Sequence, residues 1–275
     1  MTPTVAEAAP IAMVGGGQMA LALAAGFCRA GLVSAGDIIV FDPSDAARER
    51  LAAGVQGVRF AATAAEAVRG AACVFLAVKP QHVAAACDGF RADLPREAVL
   101  VSIVAGLPIA TLSDLAGTPR VVRVMPNTPC LVGRGVSVVC RSPDVPDDVA
   151  ERTRNLLSAV GHVHEVDESL IDAVTGLSGS GPGFVALLVE ALSDGGVKAG
   201  LPRPLALALA VETLAGTAAL LEQTGEHPAQ IKDRVSSPGG TTIAGLAVLE
   251  QRGVRSALID AVVAATARAK ELGRT

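Results

Sequence analysis

Apolar residues occur as short unbroken runs through the first 166 positions and as long helical stretches after them. The early runs predict strands at Ile11–Val14, Asp37–Phe41, Gly57–Ala61, Cys73–Val78, Val99–Val104 and Arg120–Met125. A run such as Cys73-Val-Phe-Leu-Ala-Val78, with no polar alternation, is what a parallel strand covered on both faces requires. Helical patterns at Ala22–Gly31, Thr63–Arg69 and Ile109–Leu115 alternate with them. Gly135–Arg141 reads as an antiparallel edge strand, and a helix over Asp148–Val160 with a short strand His162–Val166 closes the unit. From Asp167 the strands stop: Leu170–Leu177, Pro182–Ala199, Pro204–Gln223, His227–Arg234, Thr241–Arg252 and Val254–Leu272 all carry helical spacing. The change of period predicts two domains, a Rossmann-type doubly wound α/β sheet over residues 1–166 and an all-helical domain over 167–275. The run Leu177-Ser-Gly-Ser-Gly-Pro-Gly183 lacks the Gly-Lys-Ser/Thr ending of a phosphate loop and reads as a hinge or a close helix crossing. Leu205–Leu221 carries one charge, Glu212, so that helix is expected to be buried on most sides.

The first strand leads directly into Gly15-Gly-Gly-Gln-Met-Ala20, and a helix follows. Strand, glycine turn and helix together form the context of a dinucleotide fingerprint. Gly15 makes the tight turn, Gly17 lets a pyrophosphate approach the backbone, and Ala20 allows close helix packing. Val14, Gly15, Gly16, Gly17, Gln18 and Met19 are therefore candidate cofactor contacts. So are residues at the carboxyl ends of the other strands: Asp42, Pro43 and Ser44; Ala77, Val78, Lys79 and Pro80; and Ala105 and Gly106. Asn127, in the stiff Pro126-Asn-Thr-Pro129 loop at the same edge, reads on its own as an ordinary Asn turn. Asp42 stands where a carboxylate meets the adenosine ribose and repels a 2′-phosphate, which points toward NADH. Arg48 and Arg50 on the next helix are placed to pair with such a phosphate or to lie in solvent. The choice between NADH and NADPH stays open.

A second candidate site lies in Val235-Ser-Ser-Pro-Gly-Gly-Thr-Thr-Ile-Ala-Gly-Leu246. Gly239 and Gly240 sit between a turn and a helix starting near Thr241. Glycines leave successive N–H groups accessible, and the first turn of a helix leaves its donors unpaired. With the hydroxyls of Ser236, Ser237, Thr241 and Thr242, these neutral groups form a cradle for a small carboxylate.

Composition narrows the partner. Net charge is −4 with no basic cluster, which argues against nucleic acid. Hydrophobic residues make up 51% and charged residues 18%, an apolar excess that predicts an oligomer with a large helical interface. No charged n-region precedes Arg29, and Ala173–Val189 carries too many glycines for a good membrane helix, so a soluble protein is expected. The five cysteines, Cys28, Cys73, Cys87, Cys130 and Cys140, include no C-x-x-C pair and suit reduced thiols in a cytoplasm. With no tyrosine, the chain lacks the Tyr-x-x-x-Lys acid of short-chain dehydrogenases. His162-Val-His164 has no ligands nearby to complete a metal site, so none is expected.

Three stretches resemble the pyrroline-5-carboxylate reductases: S-S-P-G-G-T-T-I-A-G-L followed by Val248-Leu-Glu-Gln-Arg-Gly253, M-P-N-T-P at Met125–Pro129, and Asp172-Ala-Val-Thr-Gly-Leu-Ser-Gly-Ser-Gly-Pro182. The resemblance implies reduction of Δ1-pyrroline-5-carboxylate to L-proline, the last step of proline synthesis, by hydride from NADH or NADPH. It implies that the Asn127 loop borders the nicotinamide. It also implies a homodimer through interlocked C-terminal helices, with a ring of dimers left open as a larger assembly. On that basis Gly239, Gly240, Thr241 and Thr242 are assigned to the substrate carboxylate and Thr242 to the ring nitrogen, with Ser237 and Thr241 in support. The active site is expected to use both domains, the helical one supplied by the same chain or by a partner. The sequence departs from the resemblance at Asp42, where many members carry a small polar residue, and at Ala64. Two rivals remain: a hydroxy-acid dehydrogenase using Lys198 or Lys232, and a non-catalytic nucleotide-binding protein.

Overall fold

The computed structural model describes residues Pro10–Gly273. The described residues form two compact units, 10–179 with 265–273, and Ser180–Ala264.

The first unit is built on an eight-stranded sheet: β1 (Ile11–Val14), β2 (Ile38–Phe41), β3 (Arg59–Phe60), β4 (Cys73–Leu76), β5 (Val99–Ser102), β6 (Val121–Met125), β7 (Gly135–Arg141) and β8 (Gly161–Glu165). The order is β3-β2-β1-β4-β5-β6-β7-β8. The first six strands are parallel, with Val14 paired to Phe41 on one side and to Leu76 on the other. Side chains leave a strand alternately to its two faces, and both faces are covered here. On one face Met13, Phe75 and Val101 pack with Phe27 of α1 (Gln18–Arg29), and with Leu157 of α6 (Asp147–Ser158). On the other face Val14, Leu76 and Leu100 pack with residues of α3 (Ala64–Val68), α4 (Val83–Asp88) and α5 (Ile109–Ala116). Helix α2 (Asp45–Gly54) follows β2 and is N-capped by the Ser44 side chain.

The order reverses direction at β1, with β2 and β3 on one side and β4 on the other, so the loops after β1 and β4 flank a switch point at the carboxyl edge. Ligands bind at that place in open α/β sheets.

One strand expectation needs correction. Gly135–Arg141 is antiparallel to β6 as expected, yet it is internal, because β8 pairs with it in parallel and takes the edge. The stretch Leu177–Gly183, read as a hinge or a close helix crossing, is largely helical: α7 (Ile171–Val174) passes into a π-helical turn, Thr175–Gly179, α8 (Gly181–Lys198) begins two residues later, and the boundary between the two compact units falls at Gly179.

Strands end at Glu165, but the first compact unit runs on to Gly179, beyond the boundary expected near Val166. The reason is packing: Ile171 is buried with Val138 and Cys140, and Val174 lies against the same cluster. Glu168 adds polar ties, accepting from the Ile109 N–H at 2.7 Å and from Arg123 Nη1 at 3.0 Å.

The second unit comprises α8, α9 (Arg203–Thr224), α10 (Pro228–Arg234), α11 (Thr241–Gln251) and most of α12 (Val254–Leu272). Near the turn joining α8 to α9, a Cβ on Gly196 would lie 3.1 Å from that of Ala206, and Arg203 pairs with Asp194. Helix α9 is not buried on most sides within one chain. Only Ala206 and Ala210 are buried, while Leu205, Leu207, Leu209 and Val211 are each more than 40% exposed. By length and composition, α9 and the helical stretch Glu168–Lys198 are each long and apolar enough to cross a bilayer.

Candidate active site

At the switch point, Gly15 turns the chain with φ +104°, a region that side-chain-bearing residues rarely adopt. Its N–H donates to Phe41 O at 2.8 Å, and a Cβ there would sit 2.5 Å from Ala77 O. The turn is thus pressed against the loop after β4, and Ala77 N in turn donates to Val14 O at 2.8 Å. Gly17 caps α1 with extended backbone and no side-chain hydrogen bond, so the first-turn N–H groups at Gln18 and Met19 are left to a ligand. A Cβ on Gly17 would meet nothing within 4 Å, and Ala20 is buried in the core behind it. Space at Gly17 and free amides behind it fit a pyrophosphate.

The carboxylate of Asp42 is held by two backbone donors, Gly16 N–H to Oδ2 at 2.7 Å and Ser44 N–H to Oδ1 at 2.8 Å. Arg48 donates to the Asp42 carbonyl at 2.6 Å and pairs with Asp45. Arg50 is exposed and, among the described residues, reaches only the Ala46 carbonyl, at 3.4 Å. The loop after β4 leaves Ala77 and Val78 half-buried and Lys79 and Pro80 exposed.

Two predicted cofactor contacts are otherwise engaged. Gly106 is buried against Leu272 and Gly273 at the end of α12, so the face lacking a side chain is taken by the protein's own backbone. Asn127 uses both ends of its amide: Oδ1 accepts from Val136 N–H at 2.8 Å, and Nδ2 donates to the Ser178 carbonyl and hydroxyl, each at 3.3 Å. It ties the Pro126–Pro129 loop to β7 and to the π turn.

In the second unit the carboxylate cradle has the predicted local form. Gly239 adopts φ +67°, Gly240 caps α11 with extended backbone, and no side chain caps that helix. Gly240 N–H closes the turn on Ser237 O at 3.0 Å, leaving the N–H groups of Thr241 and Thr242 at the open end of an eleven-residue helix. Ser237 and Thr241 are exposed and Thr242 is half-buried. Among the described residues their hydroxyls have no hydrogen-bond partner. Ser236 is different, since its hydroxyl donates to Lys232 O at 2.7 Å and is not available to the cradle.

Of the rival cations, Lys198 is exposed and Lys232 pairs with Asp233 at 3.4 Å. All five cysteines are unpaired, and burial pushes the Cys73 and Cys140 thiols up to about 12, which makes them poor nucleophiles. Among the described residues no group of three His, Cys, Asp or Glu side chains is placed to hold a metal.

Sequence reasoning passed over Arg123, a cation 4% exposed in the middle of β6, paired with Glu168 at 3.0 Å and Asp172 at 3.6 Å. The signal was present: an arginine inside the apolar run Val121-Val-Arg-Val-Met125 requires a buried carboxylate partner.

Residues 168–272 match the family described as pyrroline-5-carboxylate reductase dimerisation, and residues 10–106 match NADP oxidoreductase, coenzyme F420-dependent. The pyrroline-5-carboxylate reductase of Synechocystis is 46% identical over 264 residues, covering 96% of this chain and 98% of the relative. This chain belongs to the pyrroline-5-carboxylate reductase family. The Arabidopsis thaliana reductase is 41% identical with 99% of each chain covered. A crystal structure of Plasmodium falciparum pyrroline carboxylate reductase with NADP bound is 31% identical, with a TM-score of 0.88 over 97% of this chain and 99% of that one.

Proposed function

We propose that this chain is an NAD(P)H-dependent pyrroline-5-carboxylate reductase that converts Δ1-pyrroline-5-carboxylate to L-proline. The observation that carries the reading is the local form of residues 237–242, where a glycine turn leads into a helix start with two open amides and three hydroxyls that have no partner among the described residues. A substrate carboxylate is held there by neutral donors, without a cation whose desolvation would have to be compensated.

A reduced nicotinamide, when bound, supplies the hydride. The protein's part is orientation and exclusion of water, because a protonated cyclic imine is already strongly electrophilic. Gly239, Gly240, Thr241 and Thr242 hold the carboxylate, and Thr242 Oγ1 takes the ring nitrogen with Ser237 in support. Thr242 positions that nitrogen and does not act as the acid, since an alkyl hydroxyl is too weak a donor of protons for that task. The amides from Gly17 to Met19 and the loop Ala77–Pro80 take the dinucleotide.

Two copies assemble through their C-terminal helices, the reading that best fits the exposed leucines of α9 and the described dimerisation family. Burial of those leucines in such a dimer makes a membrane location unnecessary. Five unpaired thiols support a reducing cytoplasm.

The test is oxidation of reduced nicotinamide that depends on added pyrroline-5-carboxylate. Thr242→Ala should lower kcat by roughly 100-fold while leaving dinucleotide affinity within about twofold. Thr242→Ser should retain most of the rate. An unchanged kcat in Thr242→Ala removes Thr242 from the site, and absence of imine-dependent oxidation in the wild type removes the function.

A further inference from the structure

We infer that this chain selects NADH over NADPH, with Asp42 as the residue that discriminates; the inference rests on the dinucleotide reading of the β1 turn. Asp42 directly follows β2, and its side chain is not a free surface carboxylate. Gly16 N–H at 2.7 Å and Ser44 N–H at 2.8 Å fix its two oxygens against the glycine turn. Each carboxylate oxygen carries two acceptor sites, so one remains on each for a pair of vicinal hydroxyls. That arrangement suits the 2′- and 3′-hydroxyls of an adenosine ribose.

A 2′-phosphate would bring up to two negative charges to the same place. The carboxylate cannot swing away without breaking both backbone bonds, and an anion beside a fixed anion is opposed by direct repulsion. A cation could offset this, and the obvious one is occupied. Arg48 is bonded to the Asp42 carbonyl and paired with Asp45, so its charge is already neutralised by its own helix. From Asp42 to Arg50 the chain carries Asp42, Asp45 and Glu49 against Arg48 and Arg50, which leaves a net −1. Arg50, exposed and without a carboxylate partner among the described residues, is the one cation on this helix able to favour the phosphate. Discrimination of this kind works by a built-in repulsion as much as by an attraction.

The experiment is equilibrium binding of NADH and of NADPH to the full-length protein in its native assembly, followed by titration calorimetry. No turnover is needed. The wild type should bind NADH at least about tenfold more tightly than NADPH. Asp42→Ser should weaken NADH and strengthen NADPH so that the ratio falls by about tenfold. Arg48→Ala should leave the ratio within about twofold, because that guanidinium is spent inside the protein. Equal affinities in the wild type, or tighter NADPH, overturn the inference while leaving the dinucleotide site intact. If Asp42→Ser leaves the ratio unchanged in a variant that still binds NADH, Asp42 is not the selector. If the wild type binds neither dinucleotide, the reading of the β1 turn fails and this inference falls with it.

Discussion

Gly15 and Gly17 stand two residues apart in one fingerprint and do different physical work. At Gly15 the backbone is in a positive-φ conformation and the space where a side chain would be is filled by Ala77 O at 2.5 Å. At Gly17 the backbone is ordinary and the space is open. Gly15→Ala should therefore cost about 2–4 kcal/mol of stability, combining backbone strain with a clash against main chain that cannot yield. Gly17→Ala should change stability by no more than about 0.5 kcal/mol, yet weaken dinucleotide binding by about tenfold, because its methyl stands where the pyrophosphate would sit. Urea midpoints and binding isotherms on the two variants separate the roles. Equal loss of stability in both would mean that the open space at Gly17 is structural. At this scale the sequence was informative wherever a residue type has only one use, as with these glycines. It was silent where a side chain is used inside the protein: only the fold reveals that the Asn127 amide is engaged by Val136 and Ser178, and that the Ser236 hydroxyl donates to Lys232 O.

Between elements, the polar tie at Glu168 fastens three pieces that are distant in the chain. One carboxylate oxygen accepts from the first amide of α5 and from Arg123 on β6, and Asp172 on α7 faces the same guanidinium at 3.6 Å. Arg123 is 4% exposed and two of its nitrogens, Nε and Nη2, have no hydrogen bond, so its charge depends on those two carboxylates. Removing one partner of such a pair costs more than removing both. Glu168→Ala should destabilise the protein by about 2–3 kcal/mol, somewhat below the usual range for a buried pair because Glu168 itself is partly exposed. Arg123→Met added to Glu168→Ala should recover part of that loss. A double-mutant cycle by chemical denaturation measures the coupling, and strictly additive losses would show that the pair does not act as a unit. Strand positions and helix periods were legible in the sequence because burial on both faces or on one stripe writes a period into it. The place of β8 at the sheet edge and the π turn at Thr175–Gly179 were not, because each is decided by what packs alongside: β7 needs an outer neighbour, and Ile171 and Val174 draw the start of the helical region onto the sheet.

For the molecule as a whole, α9 poses a problem that one chain cannot solve. Leu205 and Leu209 lie four residues apart on one side of the helix, and Leu207 and Val211 lie four apart on nearly the opposite side. All four are more than 40% exposed. A helix docked once against a flat partner would hide only one of these pairs. Hiding both requires a partner that wraps it, as when helices of two copies interlock, or a bilayer that surrounds it. The two solutions differ in what a single charge does. In an interlocked dimer, Leu207→Glu and Leu209→Glu should each drive the sedimentation of the purified protein from dimer or larger toward the single chain, because either side then buries an unpaired carboxylate. The wild type should stay in solution without detergent. A dimer made through one face would be broken by only one of the two substitutions. A wild type that sediments as a single chain at about 10 µM in the absence of detergent, with the affinities expected of an obligate interface, would exclude the interlocked assembly.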